Sequence, residues 1–284
     1  MQKIILDIIG THLEIDIDTD QSIDAVSQTI QSRFDDFQIK YSRFIEGNWL
    51  HTINQKRKGT LDIDGVIMLS KMLEIAKNTD GYFDPTVWKR LRDLWYANHS
   101  MDLKIILENQ KYGNYKDIEI NNRHIVLHNW VELEFGGIGK WYLIDLLHSY
   151  LYEFPRFLIN FGWDLYGRWW WKIWLESPFV NDEVIGTIIL DDHFLACSSG
   201  TKRRWWDHHH LIDPFTWRSS QEVVASYVEW STGMMTDGYA TALCVMPWKL
   251  ACDTLERTPN ITGVIVSQDG NIYQKKGSRS KVFE

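Results

Sequence analysis

Cysteine is scarce in this sequence, and long apolar runs are absent. The three cysteines, Cys197, Cys244 and Cys252, form no Cys-x-x-Cys pair. Neither a disulfide framework nor a zinc ribbon is therefore indicated, and a reducing compartment is the simplest setting. No apolar run reaches the length that a membrane-spanning helix needs. Asp7 stands where a signal peptide would have its apolar core, so the sequence predicts a cytoplasmic protein.

Positive charge is also in short supply. The 284 residues include 30 Lys and Arg against 38 Asp and Glu, which gives a formal net charge of -8. This balance argues against a nucleic-acid-binding surface. The sequence is 44% hydrophobic and 24% charged and contains no repeat, low-complexity tract or linker. It therefore predicts a soluble globular protein, whose length allows one large domain or two small ones.

Short strands and helices are mixed along the chain, with frequent hairpins. Apolar runs between turn residues predict hairpins and strands, among them residues 4–17, 118–127, 132–135, 157–161, 187–190, 223–228 and 263–274. Helical spacing of apolar residues predicts helices near residues 23–37, 64–79, 141–152, 235–245 and 248–257, whereas residues 41–54 look irregular. Strict strand–helix alternation is absent. The sequence therefore predicts an α+β fold with mixed, mainly antiparallel sheets and packed helices.

Residues 196–217 combine hydroxyls, cations and histidines at unusual density. A short apolar strand breaks into Ser198-Ser199-Gly200, whose backbone N–H groups can face an anion. Three cations follow at 202–204, and then three histidines at 208–210. Adjacent histidines rarely all face one metal, so a zinc site is disfavoured. The segment predicts an anionic ligand and one functional histidine, with the other two histidines on the surface. An ordinary charged loop is the alternative.

Two glycine-containing segments follow apolar residues. Gly136-Gly137-Ile138-Gly139-Lys140 stands between a predicted strand and a helix, where free N–H groups could hold a phosphate or the glycines could simply serve a tight turn. Asn160-Phe161-Gly162-Trp163-Asp164 ends another predicted strand. Its amide and carboxylate could bind ribose or a base edge, although Asn and Asp are as often turn formers.

Asp237 and Thr241 are four residues apart near the start of a predicted helix, so both side chains fall on one face. A carboxylate and a hydroxyl are suitable partial ligands for Mg²⁺, which keeps waters or phosphate oxygens in its other positions. The alternative is that Asp237 caps the helix.

Taken together and in order, these segments resemble the ApbE family of FAD:protein FMN transferases. The resemblance covers nearly the whole chain, and seven motifs in the family's order carry it. They are Gly10-Thr11, residues 80–87 (DGYFDPTV), residues 136–140 (GGIGK) with Asp145, Asn160-Phe161-Gly162 with Asp164, Ser198-Ser199-Gly200, residues 210–214 (HLIDP) with Thr216, and Thr236-Asp237 with residues 240–242 (ATA).

The resemblance implies a single domain over residues 1–284 with a T-fold-like architecture, and it implies an activity. The enzyme would use Mg²⁺ to transfer the FMN half of FAD to a Thr or Ser hydroxyl of an acceptor protein, with release of AMP. A member that binds or hydrolyses FAD without transferring it is the alternative.

The resemblance also implies residue roles. His210 would be the general base, and Asp237, Thr241 and a carbonyl near Gly139 would hold the metal. FAD would be bound by Asp84, Gly136, Gly137, Lys140, Asp145, Asn160, Gly162, Asp164, Ser198, Ser199 and Gly200.

Tryptophan is in excess and is oddly placed. There are 15 Trp against 12 Phe and 12 Tyr, which by itself could indicate a surface that stacks sugars or bases. Six of them stand where the resembled family tends to have glycine: Trp88, Trp130, Trp141, Trp163, Trp174 and Trp217.

Genuine substitution at these six positions would be costly. Overpacking costs about 1–3 kcal/mol per site, and a left-handed backbone about 1–2 kcal/mol. Six changes would cost about 6–18 kcal/mol, as much as the ~5–15 kcal/mol that stabilises a whole domain. The hypothesis is therefore that UGA codons, read as glycine by the host, have been translated as tryptophan. It predicts Trp141, Trp163 and Trp217 around one pocket. The alternative is a relative that has lost activity.

Overall fold

A computed structural model describes residues 1–8, 11–97, 112–201, 204–205 and 208–283. Its strands in chain order are β1 (Gln2–Ile8), β2 (Thr11–Ile17), β3 (Lys58–Thr60), β4 (Ile118–Asn121), β5 (His124–Leu127), β6 (Phe157–Phe161), β7 (Leu165–Arg168), β8 (Trp171–Glu176), β9 (Val184–Leu190), β10 (His193–Ser199), β11 (Arg204–Trp205), β12 (His208–His209), β13 (Val223–Trp230), β14 (Thr262–Ser267), β15 (Ile272–Gln274) and β16 (Ser280–Val282). The helices of the described residues are α1 (Asp24–Tyr41), α2 (Trp49–Lys56), α3 (Ile63–Asn78), α4 (Trp88–Ala97), α5 (Gly139–Leu151), α6 (Gly233–Val245) and α7 (Trp248–Arg257).

One large sheet organises the chain. Its eight strands follow the spatial order β1-β2-β6-β7-β10-β13-β14-β15, and every neighbouring pair is antiparallel. Smaller sheets join β16-β9-β8, β3-β5-β4 and β11-β12. The predicted α+β class with mainly antiparallel sheets is therefore confirmed. The single-domain assignment over residues 1–284 stays a prediction.

The hairpin at the start of the chain shows how the sequence pattern sets the register. Alternate residues of β2, Leu13, Ile15 and Ile17, are fully buried, because successive side chains of a strand point to opposite faces. Ile4 of β1 pairs with Ile15 and lies on the same buried side. A one-residue slip would bring the polar residues of both strands into the core.

Helix α6 lies against the centre of the large sheet, in contact with β10 and β13. Most of its residues are buried, including Thr236, Ala240 and Leu243. A helix that is apolar on nearly all sides belongs in a core. The sheet and α6 thus position the polar residues that lie at the strand ends beside the helix.

Two predicted elements are wrong. Residues 41–54 are not irregular throughout, because α2 begins at Trp49, where the Asn48 side chain accepts a hydrogen bond from the His51 amide. Residues 132–135 form no strand ladder. Instead, the Leu133 amide and carbonyl are both bound by the side chain of Asn54, which replaces a neighbouring strand.

None of the helices in the described part of the chain is long and apolar enough to cross a bilayer.

Candidate functional site

A cavity of about 1420 Å³ lies beside the large sheet, and its lining includes residues at the ends of β6 and β10. Its lining includes eleven of the residues for which the sequence predicted a role: Asp84, Gly136, Gly137, Lys140, Gly162, Asp164, Ser198, Ser199, His210, Asp237 and Thr241. These come from distant parts of the chain. The fold therefore brings most of the predicted site together in one place.

Asp237 and Thr241 both face the cavity from α6, as their four-residue spacing predicted. The Thr241 hydroxyl is 3.5 Å from the Ser198 hydroxyl at the end of β10. Within the described ranges no group of three or more His, Cys, Asp or Glu side chains is placed to share a metal. A site with one carboxylate and several neutral oxygens fits Mg²⁺, which needs few protein ligands.

A side-chain carboxylate already occupies the turn before α5. The buried Glu134 carboxylate accepts hydrogen bonds from the amides of Gly136 (2.5 Å) and Gly137 (3.3 Å) and pairs with Arg43. The expectation that these two amides are free for a phosphate is therefore wrong in this conformation. Both glycines line the cavity, so their contact with FAD stays a prediction.

Lys140, in the first turn of α5, forms an ion pair with Asp164. The Asp164 side chain is only 2% exposed, whereas that of Lys140 is 20% exposed. A buried carboxylate is costly unless a cation offsets its charge. The pair thus fixes a charged wall of the cavity between α5 and the β6–β7 turn.

Asp84 presents another buried carboxylate to the cavity. It accepts hydrogen bonds from the Thr86 amide (2.8 Å), the Thr86 hydroxyl (2.7 Å) and the Tyr115 amide (2.9 Å). Burial raises the pKa of Asp84 to about 6, although these hydrogen bonds oppose the shift. Asp84 can therefore change its charge near neutral pH.

The three adjacent histidines have different surroundings. His210 lines the cavity. His209 is buried, with Nε2 2.6 Å from the Ser220 carbonyl, so the expectation that it lies on the surface is wrong. A Cβ on Gly200 would lie 2.9 Å from the His209 ring. The absence of a side chain at Gly200 therefore lets the His209 ring pack closely. Gly200 is not among the residues that line the cavity, so its contact with FAD stays a prediction.

Three further predicted residues do not line the cavity. The Asp145 carboxylate binds the amides of Gly233 (3.0 Å) and Met234 (3.4 Å) at the start of α6, and burial raises its pKa to about 6. The Asn160 side chain accepts a hydrogen bond from the amide of residue 163. Gly139 packs against the Phe37 ring. Their predicted roles in binding FAD or metal stay predictions.

Trp141, Trp163 and Trp217 are not gathered around one pocket, so that expectation is wrong, although Trp88 and Trp174 line the cavity. Trp163 lines the cavity and is 45% exposed. Trp141 is fully buried on the inner side of α5, edge-on to Phe194. Trp217 packs on the Tyr112 ring, with centroids 4.7 Å apart.

The sequence did not single out Arg43 or Glu134, although both line the cavity. The one available signal was a carboxylate two residues before Gly136, in reach of the amides of a glycine turn. Arg43 gave no signal, because its partner is 91 residues away. Gly10, Lys202 and Arg203, which the sequence singled out, lie outside the described residues.

Comparison with known proteins decides the family. The ApbE family model matches residues 9–265. The chain belongs to the ApbE family. A curated ApbE-family relative, the FAD:protein FMN transferase of Klebsiella pneumoniae (strain 342), is 25% identical over 158 residues, which cover 52% of this chain and 50% of the relative. The chain thus spans about half the length of this relative.

Solved ApbE structures share the fold over nearly the full length. The crystal structure of the ApbE protein of Thermotoga maritima has a TM-score of 0.86 at 22% identity and covers 97% of each chain. The flavin transferase ApbE of Vibrio cholerae has a TM-score of 0.81 at 18% identity, again over 97% of each chain. At these identities the likeness shows the ApbE fold.

Proposed function

We propose that this chain is a Mg²⁺-dependent FAD:protein FMN transferase. It would transfer FMN from FAD to a Thr or Ser hydroxyl of an acceptor protein and release AMP. The relatives that carry this name support the proposal. The observation that carries it is one cavity that contains His210 together with Asp237 and Thr241.

The size of the cavity suits a dinucleotide. Its volume of about 1420 Å³ exceeds the ~300–1,000 Å³ of ordinary small-molecule pockets. Lys140 supplies positive charge on one side, and the Ser198 and Ser199 hydroxyls supply hydrogen-bonding groups on another. Such a lining can hold the pyrophosphate and leave room for the two ring systems.

In the transfer step, the acceptor hydroxyl oxygen attacks the phosphorus on the riboflavin side of the pyrophosphate. A new P–O bond forms to the acceptor, and the bond from that phosphorus to the bridging oxygen breaks, so that AMP leaves with the electron pair. His210 takes the hydroxyl proton, since a histidine pKa lies near neutral. Asp237 and Thr241 would hold the metal, and the bound metal would supply positive charge to offset the negative charge on the phosphoryl oxygens.

The test is flavin transfer in vitro. The protein is incubated with FAD, Mg²⁺ and a threonine-containing acceptor peptide, and acid-stable flavin fluorescence on the peptide is measured. His210→Gln should lower the transfer rate by about 10²–10⁴-fold, the usual contribution of a general base. His208→Gln is the matched control, because His208 does not line the cavity and should leave the rate near that of the parent.

Other outcomes would contradict the proposal. AMP and free FMN without a fluorescent peptide would identify an FAD hydrolase. Tight binding of FAD that leaves it intact would identify a binding protein. Equal rates for the two histidine variants would remove His210 from its role. The acceptor protein and the cytoplasmic location stay predictions.

A further inference from the structure

Five tryptophans have a left-handed backbone. Their φ angles are 59° at Trp130, 73° at Trp163, 68° at Trp169, 49° at Trp170 and 56° at Trp217. In this region the Cβ of an L-residue crowds the following carbonyl oxygen, so glycine is the residue that adopts it readily. For a bulky residue each such angle is an outlier.

The feature belongs to tryptophan and not to aromatic residues in general. Although the chain has 12 Phe and 12 Tyr, none of them has a positive φ in the described structure. The seven other positive-φ residues that are not glycine are Arg57, at the C-cap of α2, and six Asn or Asp residues. Asn and Asp tolerate this conformation. Tryptophan thus adopts a backbone conformation that no Phe or Tyr adopts in the described part of the chain.

Two of the five tryptophans stand in turns whose type calls for glycine. The Val131 amide donates to the His128 carbonyl at 3.1 Å, and both residues between them, Asn129 and Trp130, have positive φ. That is the pattern of a type I′ turn, for which Asn-Gly is a preferred central pair. A glycine at position 130 would complete it.

The turn between β6 and β7 also has two left-handed central residues, although the backbone hydrogen bond across it runs in the opposite direction. Phe161 and Asp164 face each other across it, with the Phe161 amide donating to the Asp164 carbonyl at 2.9 Å. The two residues between them, Gly162 and Trp163, have φ angles of 65° and 73°. Gly-Gly is another preferred pair for a type I′ hairpin turn.

The remaining three positions also have a backbone geometry that is typical of glycine. Trp169 and Trp170 are consecutive left-handed residues that connect β7 to β8. The Trp217 amide donates to the Asp213 carbonyl at 2.8 Å, which closes a helical turn with a left-handed residue. Glycine is the usual residue at such an end.

Three of these five tryptophans have side chains that do little to offset their backbone strain. Trp130, Trp169 and Trp170 are 71%, 63% and 69% exposed. Exposed rings bury little apolar surface. Trp141, Trp88 and Trp174 have no positive φ, so this argument does not extend to them.

We propose that the native protein carries glycine at positions 130, 163, 169, 170 and 217, because each codon is a UGA that its host reads as glycine. The inference stands on backbone geometry and does not depend on the transferase activity. One consequence concerns the cavity, which the indole of Trp163 lines. Glycine at position 163 would remove that ring from the space beside Lys140 and Asp164.

The test reads the codons and the protein itself. The gene should have UGA at these five codons, whereas Trp171, at the start of β8 with a normal backbone, should be encoded by UGG. Peptide mapping by mass spectrometry of the protein purified from its own host should find glycine at the five positions. UGG codons there, or tryptophan in those peptides, would overturn the inference. Neither readout depends on whether a variant folds.

Discussion

The sharpest consequence of the backbone geometry is a reversal in the relative stability of glycine and alanine variants. Position 163 has a φ of 73° and a side chain that is 45% exposed. Trp163→Gly and Trp163→Ala both remove the indole, so its lost contacts nearly cancel in the comparison. What remains is the backbone, which is left-handed at this position.

The magnitude follows from two opposing terms. Alanine in the left-handed region costs about 1–2 kcal/mol relative to glycine. Glycine loses about 0.4–1 kcal/mol more than alanine through the entropy of the unfolded chain. The glycine variant should therefore be more stable than the alanine variant by about 0.5–1 kcal/mol, or about 2 °C in melting temperature for a chain of this size.

Trp174 provides the matched control. It is 52% exposed in β8 and has no positive φ. There the glycine variant should be less stable than the alanine variant by about 0.5–1 kcal/mol, because glycine weakens a strand interior. Urea denaturation of the four variants measures both differences. An alanine variant that is the more stable one at position 163 as well would refute the reasoning.

Three further predictions concern the cavity walls. Burial raises the pKa of Asp84 to about 6, above about 4 in the unfolded chain. The stability that Asp84 contributes is therefore present below about pH 4 and lost as the pH rises past about 6. Asp84→Asn should reduce the loss of stability between pH 4 and 7 by about 2 kcal/mol in urea titrations, and an unchanged loss would contradict this. Lys140→Met removes the cation beside Asp164 and should lower the free energy of unfolding by about 3–5 kcal/mol. Lys71→Met, the control in an exposed ion pair, should lower it by less than about 1 kcal/mol. Equal losses for the two variants would refute the claim that Lys140 offsets a buried charge. Asp237→Asn should raise the Mg²⁺ concentration for half-maximal transfer by at least about 10-fold, and an unchanged Mg²⁺ dependence would exclude Asp237 as a ligand.

Local signals predicted most of the fold. The hairpin of β14 and β15 was found because Asp269-Gly270 is a strong turn signal between apolar runs. Helix α7 was found with its full bounds, since Leu255 and Ala251 repeat at helical spacing. Helix α2 was missed because it has eight residues and only two buried ones, Leu50 and Ile53. A helix of this length is too short to show a clear helical period of apolar residues.

The site could be predicted only in part, for a physical reason. Each motif gave residue types and a local turn, but the cavity depends on contacts between distant segments. Arg43, 91 residues away, pairs with Glu134. The Glu134 carboxylate accepts an amide hydrogen bond that the local pattern predicted to be available for a ligand. Asp145 has a role at the start of α6 that no spacing rule indicates. The order of the motifs, and not any single motif, identified the family correctly.

The one measurement that tests the central claim most directly is the product ratio of the reaction with FAD, Mg²⁺ and acceptor peptide. The account predicts one AMP released for each FMN joined to the peptide, with the flavin localised to a Thr or Ser by mass spectrometry. AMP release well in excess of peptide-bound FMN would contradict transfer and identify hydrolysis as the activity of this cavity.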